Sequence, residues 1–249
     1  MLLRRLSQSL KEQNWTAIII EFVLLVIGVF LGIQVANWNE ARNLQERKAA
    51  ALARMHDESE ANIAYLQRRI DVLGHDALAR TEALRRLSAN DWQGADPVRM
   101  AAAFDSIGYA PALTPPRGVY DELINTGMFA ELGDPQLRDA ISAYYASVQY
   151  VDRQADFIRS GIVANSVGRL HAGAKSTFDP DASRQMRVVY DFPALSADAA
   201  YVAAAVENNA GLIAQVGWTT NALEAAKTMC AELARIDGHP CNVATGKVP

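Results

Sequence analysis

Cysteine is scarce in this sequence: Cys230 and Cys241 are the only two, and both lie near the C-terminus. The spacing C-x10-C is not that of a zinc-binding pair, and no second pair is present to complete such a site. Two interpretations stay open. Either the pair forms a disulfide in an oxidising compartment, which is the interpretation we predict, or both thiols are reduced and structural.

Catalytic signatures are missing as well. The sequence contains no P-loop, no H-E-x-x-H motif, no Glu-x-x-His pair of a di-iron bundle and no G-x-S-x-G motif. The charge run "MHDESE" around His56 is interpreted as a solvent-exposed face. Asp71 and His75 share a helix face, but a solvated pair explains them without a metal. We therefore predict a protein that is not an enzyme and holds no cofactor.

An excess of basic charge is also missing. The chain has 24 Lys and Arg against 28 Asp and Glu, which gives a formal net charge of −4. Phosphate backbones require a strongly basic face, so nucleic acid is not expected to be a partner.

One long hydrophobic run is present, from Ala17 to Ala36. It contains no Lys or Arg, and only Glu21 and Gln34 interrupt its apolar residues. At about 1.5 Å per residue, a run of this length covers roughly 30 Å, the thickness of a hydrocarbon core. It is longer than the apolar region of a cleaved signal peptide. We therefore predict an uncleaved transmembrane helix over residues 17–37, with the membrane as its partner.

The basic residues beside this run leave its orientation nearly undecided, because similar numbers precede and follow it. Long downstream domains cross a membrane largely regardless of their charge, and the N-terminal tail also carries the amino group. The cysteine pair favours an oxidising compartment for the C-terminal part. We expect a cytoplasmic N-terminus and an exported C-terminal domain.

The segment "EFVLLVIGVFLGIQVANWNEARN" resembles the start of an uncharacterised bacterial family of single-span membrane proteins. That family has a Glu-containing span that ends in Gln-x-x-Asn-Trp-Asn-Glu. A second segment, Gly118 to Tyr145, resembles a later motif of the same family, although Val119 and Met128 depart from it. The resemblance implies a bacterial inner-membrane protein, and it implies no activity. The residues that match the first motif are Glu21, Gln34, Asn37, Trp38, Asn39 and Glu40.

Glu21 is unusual inside an apolar span, and its helical position suggests a reason. At about 100° per residue, Gly28 and Gly32 lie within about 20° of Glu21, and Asn39 lies on the same line. Two glycines four residues apart permit close helix approach, and polar groups on that face can hydrogen-bond across it. We predict a helix–helix contact there. Two alternatives stay open: a protonated or snorkelling carboxyl, and a proton relay.

Downstream of the span, the apolar residues follow helical periods. In the first long segment they alternate steps of seven and four, an eleven-residue period typical of a nearly straight helix. A later helix begins at Pro135 after an Asp134 N-cap, and the last is expected over residues 197–236 with Ser196 as N-cap. That last helix carries two apolar stripes and is therefore expected to be buried on two sides. The period of the first segment is set by Leu44, Ala51, Met55, Asn62, Leu66, Leu73, Ala77 and Leu84.

These patterns predict an all-α protein. A single N-terminal transmembrane helix continues into a long stalk helix and an antiparallel helical bundle. No strand pattern is convincing, and "MRVVYDF" is the only candidate. The expected parts are a cytoplasmic tail 1–16, the span 17–37, a stalk or first bundle helix 38–90, the bundle 91–238 and a tail 239–249.

Several polar residues occupy positions where the helical period would place apolar ones. Either they line a pocket for a small ligand between helices, or they pair with one another and fix the register of the bundle. The second interpretation is favoured. These residues are Asn62, Asn165, Asn208, Gln215 and Thr219.

The sequence therefore predicts a membrane-anchored interaction or scaffold protein with an exported helical bundle. It is expected to bind a second copy of itself, or another membrane protein, through the span. Two alternatives stay open. One is a sensor-like bundle that binds a small ligand and signals through a partner. The other is an accessory subunit of an ion-coupled membrane complex, by analogy with stator-type proteins.

Overall fold

The computed structural model of the protein describes residues 15–165, 173–182 and 185–242. The described residues form seven helices and one two-stranded sheet, so the expected mainly helical fold is confirmed. The chain divides into two compact units, Met1–Ala51 and Leu52–Pro249, and each is described by itself. The elements are α1 (Trp15–Ser88), α2 (Pro97–Asp105), α3 (Gly118–Asn125), α4 (Met128–Glu131), α5 (Pro135–Asn165), β1 (Ala174–Phe178), β2 (Met186–Tyr190), α6 (Phe192–Ala197) and α7 (Ala199–Asp237).

The first unit contains the N-terminal part of α1. Among the described residues, one helix is long and apolar enough to cross a membrane, with a mean hydropathy of 2.5 over its most apolar window. None of that window is buried inside the protein. The apolar side chains of this part, such as Phe22 and Leu25, are exposed. By length and composition, this helix has the properties of a membrane anchor.

In the second unit, the eleven-residue period of α1 identifies the side that faces the core. Every member of the series from Met55 to Leu84 is buried, including the polar Asn62. The helix ends at Ser88, and Asn90 then adopts a left-handed conformation with φ 55°. Asparagine tolerates this conformation better than most residues, which suits it to the end of a helix.

Helix α7 runs antiparallel to both α1 and α5. Asp237, at its end, contacts His56 near the start of this part of α1, whereas Asn209 contacts Thr81 farther along. Against α5, Trp218 packs on Tyr150, whereas Arg235 near the end of α7 pairs with Asp134, which precedes the first residue of α5. Helices α1 and α5 therefore run in the same direction, because the segment between them returns the chain to the other end of the bundle.

Two expectations for α7 were wrong. Its N-cap is Asp198, whose carboxylate accepts from the Tyr201 N–H at 3.0 Å, whereas Ser196 belongs to α6. The second apolar stripe is only partly buried, with Val206 48% and Ile213 52% exposed. No other helix covers the side of α7 that carries Val206 and Ile213 in the described part of the chain. The other stripe, from Tyr201 to Leu233, is in the core.

A small hairpin interrupts the helices, and its second strand lies in "MRVVYDF", the one strand candidate of the sequence. Strands β1 and β2 pair antiparallel, with Ala174 opposite Tyr190 and Phe178 opposite Met186. The strand sequences "AKSTF" and "MRVVY" do not alternate regularly between apolar and polar residues, so the usual sequence signal of a strand is missing. The Tyr190 ring packs against Phe104 of α2, with ring centroids 5.7 Å apart.

An extended segment, residues 109–117, connects α2 to α3, and we call it the strap. Its prolines, at positions 111, 115 and 116, disfavour helix. At one end, the Tyr109 carbonyl accepts a 3.4 Å hydrogen bond from Arg80. Farther along, the Thr114 N–H donates to the Tyr65 hydroxyl at 2.9 Å. The strap thus runs back along the bundle, with Ala110 and Leu113 buried.

Candidate functional site

Two polar residues of α7 hold the backbone beside and within the strap. The Asn208 side-chain oxygen accepts from the Gly108 N–H at 3.1 Å and from Arg80 at 3.0 Å. The Gln215 amide donates to the Pro111 carbonyl at 2.7 Å. These side chains therefore bind main-chain groups and Arg80. They do not pair with each other, as the favoured interpretation of the sequence expected.

Arg80 is a buried cation, only 1% exposed. Its Nε donates to the Ser106 hydroxyl at 2.8 Å, and Nη2 donates to the carbonyls of Ser106 and Tyr109. Ser106 is the C-cap of α2, so the charge lies at the negative end of a helix dipole. Burial lowers the pKa of Arg80 to about 10, and Asp76 opposes the shift. The side chain stays charged at neutral pH and fixes where the strap begins.

Glu58 is a buried carboxylate that caps a helix distant in sequence. Helix α3 follows Arg117, whose side chain makes no capping hydrogen bond. Glu58, 8% exposed, accepts instead from the N–H groups of Val119 at 2.8 Å and Tyr120 at 3.2 Å. An anion at a helix N-terminus satisfies free N–H donors and suits the helix dipole.

The same carboxylate joins α3 to α5. The Tyr145 hydroxyl donates to Glu58 at 2.6 Å, and the Tyr145 ring stacks on Tyr120 at 3.8 Å. Burial raises the pKa of Tyr145, as does its hydrogen bond to Glu58, so the phenol stays protonated. Tyr120 and Tyr145 both belong to the second family-like segment, so this contact gives that segment a structural role.

Some buried polar groups near this network are unpartnered. Asn62, fully buried, has no hydrogen-bond partner for its side-chain nitrogen or oxygen in the described part of the chain. The same holds for the Tyr144 hydroxyl and for the side-chain oxygen of Gln215. Thr219 is buried and donates to the Gln215 carbonyl within α7. Asn165 ends α5, and its side chain lies outside the described part.

The expectation that the charge run around His56 forms a solvent-exposed face was wrong. His56 is 6% exposed and Ser59 is fully buried. Asp237, at the end of α7, supplies a carboxylate 2.8 Å from His56 Nδ1, and Glu60 lies 3.5 Å from Nε2. The sequence around His56 is charged and therefore suggested exposure. The residues that bury it, such as Asp237 and Cys230, are far away in sequence. Asp71 and His75, by contrast, are exposed.

Cys230 and Cys241 are joined by a disulfide bond. Cys230 is fully buried on α7, and its sulfur lies 3.9 Å from His56 Nε2. Cys241 follows Gly238, which caps α7 in a left-handed conformation with φ 74° and turns the chain back. The bond is the state that the sequence favoured, but the spacing carried no signal that a histidine would lie beside it.

The residues singled out in the span lie on the exposed surface of α1. Glu21 and Asn39 are exposed, and a Cβ atom added to Gly28 or Gly32 would meet nothing within 4 Å. The other residues of the family-like motif, Gln34, Asn37, Trp38 and Glu40, are exposed too. Within the described chain, this face has the space that close helix approach requires.

Comparison with known proteins gives no relative: no protein-family model, no curated protein and no solved structure matches this chain.

Proposed function

We propose that the protein is a non-enzymatic, membrane-anchored interaction or scaffold protein that self-associates through its span. The observation that carries this proposal is the helix between Ile19 and Val35, which is strongly apolar and entirely exposed within its own chain. Surface of this kind is stable in lipid or against another apolar helix.

One face of that helix is better suited to contact with a second helix than to contact with lipid. Glu21, Gly28, Gly32 and Asn39 lie within about 20° of one line along α1. An ionised carboxylate deep in a bilayer costs roughly 3 kcal/mol, which a hydrogen-bonding neighbour offsets. The two glycines let a neighbouring backbone approach closely enough to supply that neighbour. The partner is a second copy of this chain, or another membrane protein with a similar face.

The contacts within the bundle support a scaffold more than a small-ligand sensor. A pocket between helices needs polar side chains that are free to meet a ligand. The Asn208 oxygen and the Gln215 amide nitrogen are already bonded to Gly108 and to the strap. These contacts make Asn208 and the Gln215 amide nitrogen part of the bundle's own packing.

The proposed location is a bacterial inner membrane, with the N-terminus in the cytoplasm and the bundle in the periplasm. The disulfide between Cys230 and Cys241 supports the oxidising side for the bundle. The resemblance of the span to the single-span family supports the bacterial inner membrane as the location. A membrane-impermeant maleimide tests it: Ser142→Cys, exposed on α5, is expected to react in intact spheroplasts. Ser9→Cys is expected to react only after permeabilisation, and the reverse result would overturn the orientation.

Self-association is tested with full-length chains labelled with donor or acceptor fluorophores and reconstituted in lipid vesicles. Energy transfer should be strong for the natural chain and should fall for Gly28→Leu and for Glu21→Ala. Phe30→Leu is the matched control, because Phe30 lies about 180° from Glu21 on the same helix. No transfer for the natural chain would overturn self-association, and an equal loss in Phe30→Leu would overturn the assigned face.

A further inference from the structure

The structure brings the two cysteines of the chain to a buried histidine that is distant in sequence. The sulfurs of Cys230 and Cys241 and Nε2 of His56 all lie within 4.8 Å of one another. Two sulfurs and an imidazole nitrogen are donors typical of zinc sites. The disulfide uses the two sulfurs but gives no role to the histidine nitrogen.

We propose that reduction of the Cys230–Cys241 disulfide creates a site for one Zn²⁺ ion, bound by both thiolates and by His56 Nε2. In a tetrahedral zinc site, bonds of about 2.3 Å to sulfur and about 2.0 Å to nitrogen place the sulfur and nitrogen about 3.5 Å apart. Nε2 lies 3.9 Å from the Cys230 sulfur. Helices α1 and α7 thus already hold two of the ligands near the required separation.

His56 is oriented as a metal-binding histidine commonly is. Its Nδ1 lies 2.8 Å from the Asp237 carboxylate, which can only accept a hydrogen bond, so Nδ1 carries the proton. Asp237 is itself held by the His239 N–H at 2.9 Å. Nε2 is then the nitrogen left to coordinate a metal ion beside the sulfurs. A carboxylate behind a coordinating imidazole fixes its orientation and strengthens it as a ligand.

A fourth ligand is also within reach. Glu60 is one helical turn beyond His56 on α1, and its Oε1 lies 3.5 Å from Nε2. That carboxylate, or a water molecule, completes a four-coordinate site. The Asn242 N–H donates to the same oxygen, so the chain beyond Cys241 also contacts this group.

Opening the disulfide requires that one of its two sulfurs can move, and the positions of the two cysteines allow this. Cys230 is fully buried within α7, whereas Cys241 is half-buried and lies beyond the end of that helix. Two sulfurs that share a tetrahedral zinc ion are about 3.8 Å apart. The Cys241 sulfur can move to that separation without moving either helix.

Reduction of the Cys230–Cys241 disulfide needs one external reductant. A dithiol supplies two electrons and two protons to the disulfide, is itself oxidised to a disulfide, and leaves Cys230 and Cys241 as thiols. Zn²⁺ then displaces the two thiol protons, which pass to solvent, and the ion stays divalent. The site is independent of the span contact proposed above.

The test uses the full-length chain in detergent micelles. A phosphine reduces the disulfide, taking oxygen from water to become the phosphine oxide, and is removed without air. Zn²⁺ is then titrated against a chromophoric chelator, with Co²⁺ as a spectroscopic probe of thiolate ligation. We expect one Zn²⁺ for each reduced chain, none for the oxidised chain, and a thiolate-to-cobalt charge-transfer band in the reduced chain alone.

Variants separate a site from chance binding. His56→Asn and Cys241→Ser should each weaken zinc binding by more than about tenfold, and Asp237→Ala by about tenfold through the orientation of His56. His75→Asn, an exposed histidine on the same helix, should leave binding unchanged. Circular dichroism of each variant monitors folding. Cys241 lies outside the helices, so Cys241→Ser is not expected to disturb them. The proposal is overturned if the reduced natural chain binds no zinc, whether folded or unfolded, or if His56→Asn binds as tightly as the natural chain.

Discussion

The carboxylate of Glu58 on α1 accepts a 2.6 Å hydrogen bond from the phenol of Tyr145 on α5, 87 residues away. It also accepts from the N–H groups of Val119 and Tyr120 at the start of α3. One buried side chain therefore joins three helices. Its three donors are satisfied through this one group.

Replacing Glu58 should strongly destabilise the bundle. Glu58→Ala leaves one buried and two partly buried donors without an acceptor, so the free energy of unfolding is expected to fall by about 2–4 kcal/mol. Glu58→Gln keeps one side-chain acceptor and should cost less. Chemical denaturation of the full chain in detergent, followed by near-ultraviolet circular dichroism, measures both. Asp57→Ala, at an exposed neighbour, should change stability by less than about 0.5 kcal/mol. A similar small loss in Glu58→Ala would show that the carboxylate is not a structural centre.

The strap should loosen when its polar partner on α7 is removed. Gln215→Ala deletes the donor to the Pro111 carbonyl and should lower the free energy of unfolding by about 1–2 kcal/mol. Hydrogen exchange should also speed up at the Thr114 N–H, which lies farther along the strap. Gln149→Ala, at an exposed position of α5, is the matched control. Unchanged exchange at Thr114 would contradict the assigned role.

The long helices could be predicted because burial follows a period that the sequence displays. The seven-and-four steps from Met55 to Leu84 mark residues that are all buried. The same kind of pattern was misleading for Val206 and Ile213, which also repeat at helical spacing but are exposed. An apolar stripe shows that one side of a helix is suited to burial. Whether another element covers that side depends on the rest of the fold.

The candidate sites were predictable only in part. Asn208 and Gln215 stood out as polar residues at apolar positions. Their partners include main-chain groups about a hundred residues away, and such groups leave no side-chain pattern. His56 was misjudged for a related reason. Its neighbours in sequence are charged, but its burial is set by contacts with residues near the other end of the chain.

The ion pairs near the end of α1 give a pH prediction. Hydrogen bonds from Arg85 and Arg86 lower the pKa of the Glu82 carboxyl to about 2, below its ordinary value of about 4.5. A depressed carboxyl pKa stabilises the folded state above the ordinary value. This contribution is therefore lost as pH falls from about 4.5 to about 2. Solvent screens the exposed group, so the effect on stability is small.

Carbon-detected NMR titration of the Glu82 carboxyl measures this pKa directly. Arg85→Gln together with Arg86→Gln should return it toward about 4.5, since all three hydrogen bonds from these arginines are removed. Arg68→Gln, at an exposed position on the same helix, should leave it in place. An ordinary pKa in the natural chain would contradict the pairing.

The bond between Cys230 and Cys241 closes a short loop at the end of α7, with a sequence separation of 11. A loop of this size contributes roughly 2–3 kcal/mol by restricting the unfolded chain. Cys241→Ser should therefore lower the free energy of unfolding by about that amount under oxidising conditions. Asn242→Ala, at the exposed neighbour of Cys241, is the matched control and should change stability by less than about 0.5 kcal/mol. Unfolding without reductant should expose no free thiol in the natural chain, and a count of two thiols would show that the bond does not form.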